Sequence, residues 1–193
     1  MMVVNIGLRQ NHGKVQAMSL IKSRTQTGMF NLHCTKKLLD RIKPELEVPR
    51  AGTTRLGNWY ATALFWKPQM ALVVNERTLL PVLLPLAPAA TLAERFPIAL
   101  REVLRALDMP AEFIDSEISG MGEVVYAKTA NRSVLGVMNE FVYLAEGYRD
   151  QDGSIDPVVL SLRLAGTPCG PLYKGAVFPD KAVRELVHGG AIH

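Results

Sequence analysis

The side chains best suited to chemistry gather in Lys128-Thr-Ala-Asn-Arg-Ser-Val-Leu-Gly-Val-Met-Asn139, where a polar cluster leads into an amphipathic helix. Lys128, Asn131, Arg132, Ser133 and Asn139 surround that helix start. Free backbone N–H groups and the positive end of the macrodipole favour an anion there. Asn131 or Ser133 would hold a phosphate or carboxylate, with Arg132 or Lys128 adding charge. The plainer reading makes Asn131 an N-cap and Arg132 a solvated first-turn side chain. Asn139 lies off the apolar stripe, so its amide calls for solvent or a partner.

Asn75-Glu-Arg-Thr78 is the second candidate. Its default reading is a turn with charged residues at its tip. In the functional alternative, Glu76 and Arg77 meet the Asn131 region across the end of a sheet. An enzyme acting on a phosphate-bearing substrate would use Lys128 and Arg132 to stabilise developing negative charge. Glu76 or Glu140 would then be its general base.

Elsewhere the chain offers little reactive chemistry. Ser133 has no histidine in an interpretable relation to it. His33 and Cys34 are adjacent in a strand and point to opposite faces, which makes a poor Cys–His pair. Gly-Lys-Ser/Thr is absent, and Gly120-Met-Gly122 alone is too weak to read as a phosphate loop. Asn58-Trp-Tyr60 beside Arg55 has the character of a base-stacking platform, but aromatics in a strand usually belong to the core. Cys34 and Cys169 fit no CxxC spacing and the four histidines are scattered, so neither a metal nor a cofactor is expected.

The elements that must position these residues follow from periodicity. Met29–Cys34 alternates as a strand does, and Thr35 can cap a short helix through Ile42 that ends before Pro44. Residues 58–66 and 70–75 read as a hairpin across Lys-Pro-Gln. Both runs are almost continuously apolar, which predicts a sheet covered on both faces. Residues 78–84 form a third strand, placed at an edge by Pro81. Thr91 and Glu94 have capping-box spacing ahead of a helix to about 109, with Leu100, Val103, Leu104 and Leu107 as its stripe. Residues 123–129 form a further strand, followed by the helix over 132–147. Asp156-Pro157 opens another helix that stops near Gly166, and residues 179–187 form a last one. The prediction is α+β: a single domain over 29–193, with a mainly antiparallel sheet and helices packed on it.

Charge is unevenly placed. Residues 1–28 hold Arg9, Lys14, Lys22 and Arg24 and no acidic residue, whereas the rest has 18 basic and 18 acidic side chains. Residues 1–28 read as a disordered or mis-annotated leader, since they lack a hydrophobic period and the apolar region of a signal peptide. A balanced domain disfavours generic DNA binding, which needs a basic patch. The apolar runs fall short of the roughly 18 residues that span a bilayer. Isolated cysteines fit a reducing cytoplasm.

Thr35-Lys-Lys-Leu-Leu39, Leu56-Gly-Asn-Trp-Tyr-Ala61, Asn75-Glu-Arg-Thr-Leu79 and Asn131 to Asn139 together resemble a bacterial family of short proteins classed under a domain of unknown function. Similar segments occur in some proteins named after a plasmid open reading frame. The resemblance covers roughly Met29 to Ala145 and implies bacterial origin and a cytoplasmic domain, without an activity to carry over. The expectation is therefore a non-enzymatic binding module for an anionic ligand or a protein partner, with the phosphate enzyme as alternative.

Overall fold

The computed structural model describes residues 28–152 and 156–189. Apart from Gly28, the leader expected over 1–28 lies outside the described residues. Five strands, β1 (Met29–Cys34), β2 (Trp59–Leu64), β3 (Met70–Asn75), β4 (Pro81–Pro85) and β5 (Glu123–Lys128), form one sheet in the order β4-β3-β2-β1-β5. Helices α1 (Lys36–Ile42), α2 (Leu92–Ala106), α3 (Ala111–Ser119), α4 (Arg132–Asp152), α5 (Pro157–Ala165) and α6 (Pro179–His188) complete the described fold, with 3₁₀ turns at Ala89–Thr91 and Gly170–Leu172. The class is α+β.

The expected hairpin is present: β2 and β3 pair antiparallel from Trp59 opposite Asn75 to Leu64 opposite Met70. β4 continues the meander at an edge, as Pro81 requires. β1 pairs parallel with both β2 and β5. Long connections make this possible: α1 and its following loop lie between β1 and β2, while α2 and α3 carry the chain from β4 to the far edge.

The sheet is covered on both faces, so every residue of β1, β2 and β3 is buried. On one face Phe30, Leu32, Trp59, Ala61 and Val73 pack with Phe96, Leu100 and Leu104 of α2 and Phe113 of α3. On the other, Tyr60, Leu72, Val74 and Leu83 pack with Val134, Val137, Met138 and Phe141 of α4 and Leu160 of α5. α5 also shields the β4 edge, where Ser161 Oγ accepts from the Leu83 N–H at 2.9 Å.

Two local expectations are corrected. Thr91 and Glu94 form no capping box: Thr91 Oγ1 donates to the Pro88 carbonyl and accepts from Arg95 Nε. Thr35 does not cap α1 through its side chain, because its hydroxyl lies 2.9 Å from that of Thr62. At the start of β1, a Cβ on Gly28 would overlap the Gly120 backbone, so this close approach needs glycine.

Candidate functional site

Strand alternation separates the β1 side chains. Phe30, Leu32 and Cys34 enter the α2 core, leaving Asn31 and His33 on the α4 face. α4 itself covers β2 and β3 on that face, and the 47–58 loop closes over β1: Asn31 Nδ2 donates to the Arg50 carbonyl at 2.6 Å, and the Arg50 N–H returns a bond to Asn31 Oδ1. Two polar side chains are thereby buried where the β1 pattern alone would suggest a solvated face.

From Asn31 a chain of side-chain hydrogen bonds crosses the end of the sheet. Asn31 Nδ2 also donates to Asn58 Oδ1 at 2.8 Å. Asn58 Nδ2 donates to Glu76 Oε2 at 2.9 Å, and Asn131 Nδ2 to Glu76 Oε1 at 3.1 Å. The Tyr60 hydroxyl is the third donor to this carboxylate, reaching Oε1 at 3.1 Å. Glu76 thus joins the loop before β2, β2 itself, the turn after β3 and the start of α4.

That turn is rigid. Buried Asn75 accepts from the Arg77 and Thr78 N–H groups and from the Thr78 hydroxyl, while its amide donates to the carbonyls of Leu56 and Asn58. The Asn75 side chain fixes the direction in which Glu76 leaves the sheet.

Burial alone would push the Glu76 carboxyl up. The hydrogen bonds from Asn58, Asn131 and Tyr60 outweigh it and hold the group below the usual carboxylate range. Tyr60 responds in the opposite sense. Burial, and then the Glu76 charge, push its hydroxyl up to about 12, although the Asn131 and Ala130 backbone groups oppose the rise. At neutral pH the pair is one ionised carboxylate and one neutral phenol.

His33 lies on the same face. Its ring stacks on Tyr60 with centroids 4.6 Å apart and planes 11° from parallel, and Nδ1 is 3.0 Å from the Lys128 carbonyl. Nε2 is buried and has no hydrogen-bond partner among the described residues.

Of the residues singled out in the sequence, Asn131 and Glu76 come together. Asn131 is also the α4 cap, its Oδ1 accepting from the Ser133 and Val134 N–H groups at 3.0 and 3.3 Å. Two of the N–H groups expected to meet an anion are therefore already used. Arg132 and Ser133 are exposed beside this cap, and Asn139 is exposed further along α4. Arg77 turns away: its guanidinium donates to the Arg55 carbonyl at 2.6 Å. Lys128 lies opposite Cys34 in the register, so its side chain leaves the sheet on the face away from His33, and only its carbonyl joins the cluster. Glu140 is exposed on α4 and acts on Cys169.

Sequence reasoning does not single out Asn31 or His33 as binding residues, and it weighs Asn58-Trp-Tyr60 only as a stacking platform better assigned to the core. The available signal was polar Asn31 and His33 at alternate positions of β1, a strand that turns out to have neighbours on both sides. Asn58-Trp-Tyr60 divides: Trp59 enters the α2 core against Phe96, while Tyr60 reaches the site.

Among the described residues, no cluster of three or more His, Cys, Asp or Glu side chains could hold a metal ion, and no helix is long and apolar enough to cross a membrane. No match was found among curated proteins or solved structures. Residues 31–182 match the family described as Domain of unknown function (DUF6933), a span running beyond Ala145 into α6. His33, Asn58, Tyr60, Glu76 and Asn131 all fall inside it, and the chain belongs to this family.

Proposed function

We propose that the protein is a non-enzymatic binding module of the bacterial cytoplasm that recognises an anionic ligand beside the Glu76–Asn131 clamp. The relay from Asn31 through Asn58 and Glu76 to Asn131 carries this reading. It fixes four separate segments at one end of the sheet, and such preorganisation lowers the cost of ligand binding. Arg132 supplies the charge: it is exposed at the start of α4 and enters no ion pair among the described residues. Asn131 holds the backbone on which Arg132 stands.

The phosphate-enzyme alternative draws support from Glu76 lying within hydrogen-bond reach of Asn131. Against Glu76 as its base stands the lowered carboxyl pKa, since a general base works best when its pKa is near the operating pH. Binding is the better supported reading.

The test is a calorimetric screen of nucleotides, sugar phosphates and carboxylates against wild type and Arg132→Ala. Charge-assisted contacts contribute about 1.5–3 kcal/mol, so the variant should bind its ligand about ten- to a hundred-fold more weakly. Its thermal midpoint should stay unchanged, because Arg132 is exposed. Equal affinity of the two proteins for every anion that binds would sink the reading.

A further inference from the structure

Three buried side-chain atoms lack a hydrogen-bond partner among the described residues: His33 Nε2, Trp59 Nε1 and Asp180 Oδ1. Trp59 belongs to the opposite face, packed edge-on against Phe96, and Asp180 stands in the first turn of α6. His33 is the one stacked on a site residue, Tyr60. Its unpartnered atom belongs to a ring packed against Tyr60, one of the donors to Glu76.

The bonding of the ring determines what that atom can do. The Lys128 carbonyl can only accept, so Nδ1 must donate to it. In the neutral imidazole this places the proton on Nδ1 and leaves a lone pair on Nε2. Stacking on Tyr60 and the Nδ1 bond both fix the ring plane, so a simple ring flip would break the contact with Lys128. His33 is 5 % exposed, and its Nε2 is buried. A buried acceptor without a donor is costly, and a ligand that provides one recovers that cost.

We propose that His33 Nε2 is a ligand-binding acceptor of this site, taking a proton donor from an anion that also carries a hydroxyl. A hydroxylated phosphate ester is the simplest such ligand. The inference rests on the anion-binding reading and deepens it: Arg132 recognises the charge, and His33 distinguishes a hydroxylated anion from a bare one. A metal ion is the less suitable partner for the lone pair, because His33 belongs to no group of three or more His, Cys, Asp or Glu side chains among the described residues.

The experiment uses the full chain labelled with ¹⁵N-histidine, at about pH 8, where simple phosphate monoesters are dianions. Glycerol 3-phosphate and methyl phosphate are titrated separately; they match in charge, but only the first carries hydroxyls. The unliganded spectrum should show His33 protonated on Nδ1. Glycerol 3-phosphate should move the Nε2 resonance and bind about ten-fold more tightly than methyl phosphate, which should leave Nε2 unmoved. His33→Gln should abolish the preference between the two esters. A proton on Nε2 in the unliganded protein would overturn the proposal. So would equal affinities with Nε2 unmoved; if Arg132→Ala still abolished both, the anion site would survive without His33. Failure of both esters to bind would overturn the His33 proposal, while the anion reading would still be decided by the wider screen of wild type against Arg132→Ala.

Discussion

Glu76 accepts from three neutral donors, Asn58, Tyr60 and Asn131, at the end of a sheet whose interior is almost wholly apolar. Its charge is sheltered by dipoles rather than by a countercharge in direct contact, and this gives a pH signature of definite sign. A carboxyl whose pKa is lower in the folded than in the unfolded chain stabilises the fold above the unfolded value of about 4.5. That contribution fades as pH falls through the lower, folded value. Glu117 runs the other way. Burial pushes its carboxyl up despite the Leu56 and Arg55 N–H groups it accepts from, so its contribution is complete below about 4.5 and fades as pH rises through the folded value. Comparing wild type with Glu76→Gln separates the two, because Glu117 is common to both. The glutamine should lower stability at neutral pH by about 1–3 kcal/mol. The gap measured by urea unfolding should narrow as the pH is taken below 4.5. A gap that stayed constant, or widened, on acidification would show that Glu76 does not have a lowered pKa.

At the scale of elements, Asn131 performs two functions with one amide. Oδ1 caps α4 and Nδ2 ties that cap to the β3 turn. A serine in its place would keep a capping oxygen and lose the donor to Glu76, whereas alanine would lose both. Asn131→Ser should therefore cost about 1 kcal/mol or less, and Asn131→Ala about 1–3 kcal/mol. Guanidinium unfolding checks the order; no loss at all for the serine variant would mean that the Glu76 bond contributes nothing, and equal losses for the two would mean that the cap contributes nothing. The cap was legible in sequence because an asparagine before an apolar stripe is a local signal, as was Asp156 ahead of Pro157, which caps α5. β1 and β3 were legible to the residue, β1 from its alternation and β3 from an apolar run that ends at a polar turn. α3 was not. It has only nine residues, and its inward face includes Glu117, a charged residue that hides the stripe begun by Phe113 and Ile114. The parallel pairs of β1 were illegible for another reason: they join segments 27 to 94 residues apart, and strand periodicity says nothing about which strand lies beside which. The site suffered from the same blindness. Glu76 and Asn131 could be named as candidates, but His33 and Asn31 acquire their meaning only from the loop and strand that bury them.

For the whole molecule, the sheet separates an aromatic-rich apolar layer from the layer that carries the polar relay. Trp59 and Tyr60 are neighbours in β2, yet one packs edge-on against Phe96 with ring centroids 4.9 Å apart while the other donates to Glu76. Phe30 completes the aromatic group at 5.8 Å from Phe96, wholly on the α2 side. The polar relay lies on the α4 side, and a change in one layer reaches the other only through a shift of the strands between them. Phe96→Ala removes a fully buried ring from the first layer and should cost about 3–5 kcal/mol. Close-packed strands paired on both sides resist such a shift, so the Glu76 cluster should keep its geometry while the molecule remains folded. The expected outcome is a large drop in the urea midpoint with the ¹⁵N resonances of His33 left where they are in wild type, measured well below the unfolding transition. Movement of the His33 resonances in folded Phe96→Ala would show that the two faces are coupled and overturn the independence of the two layers.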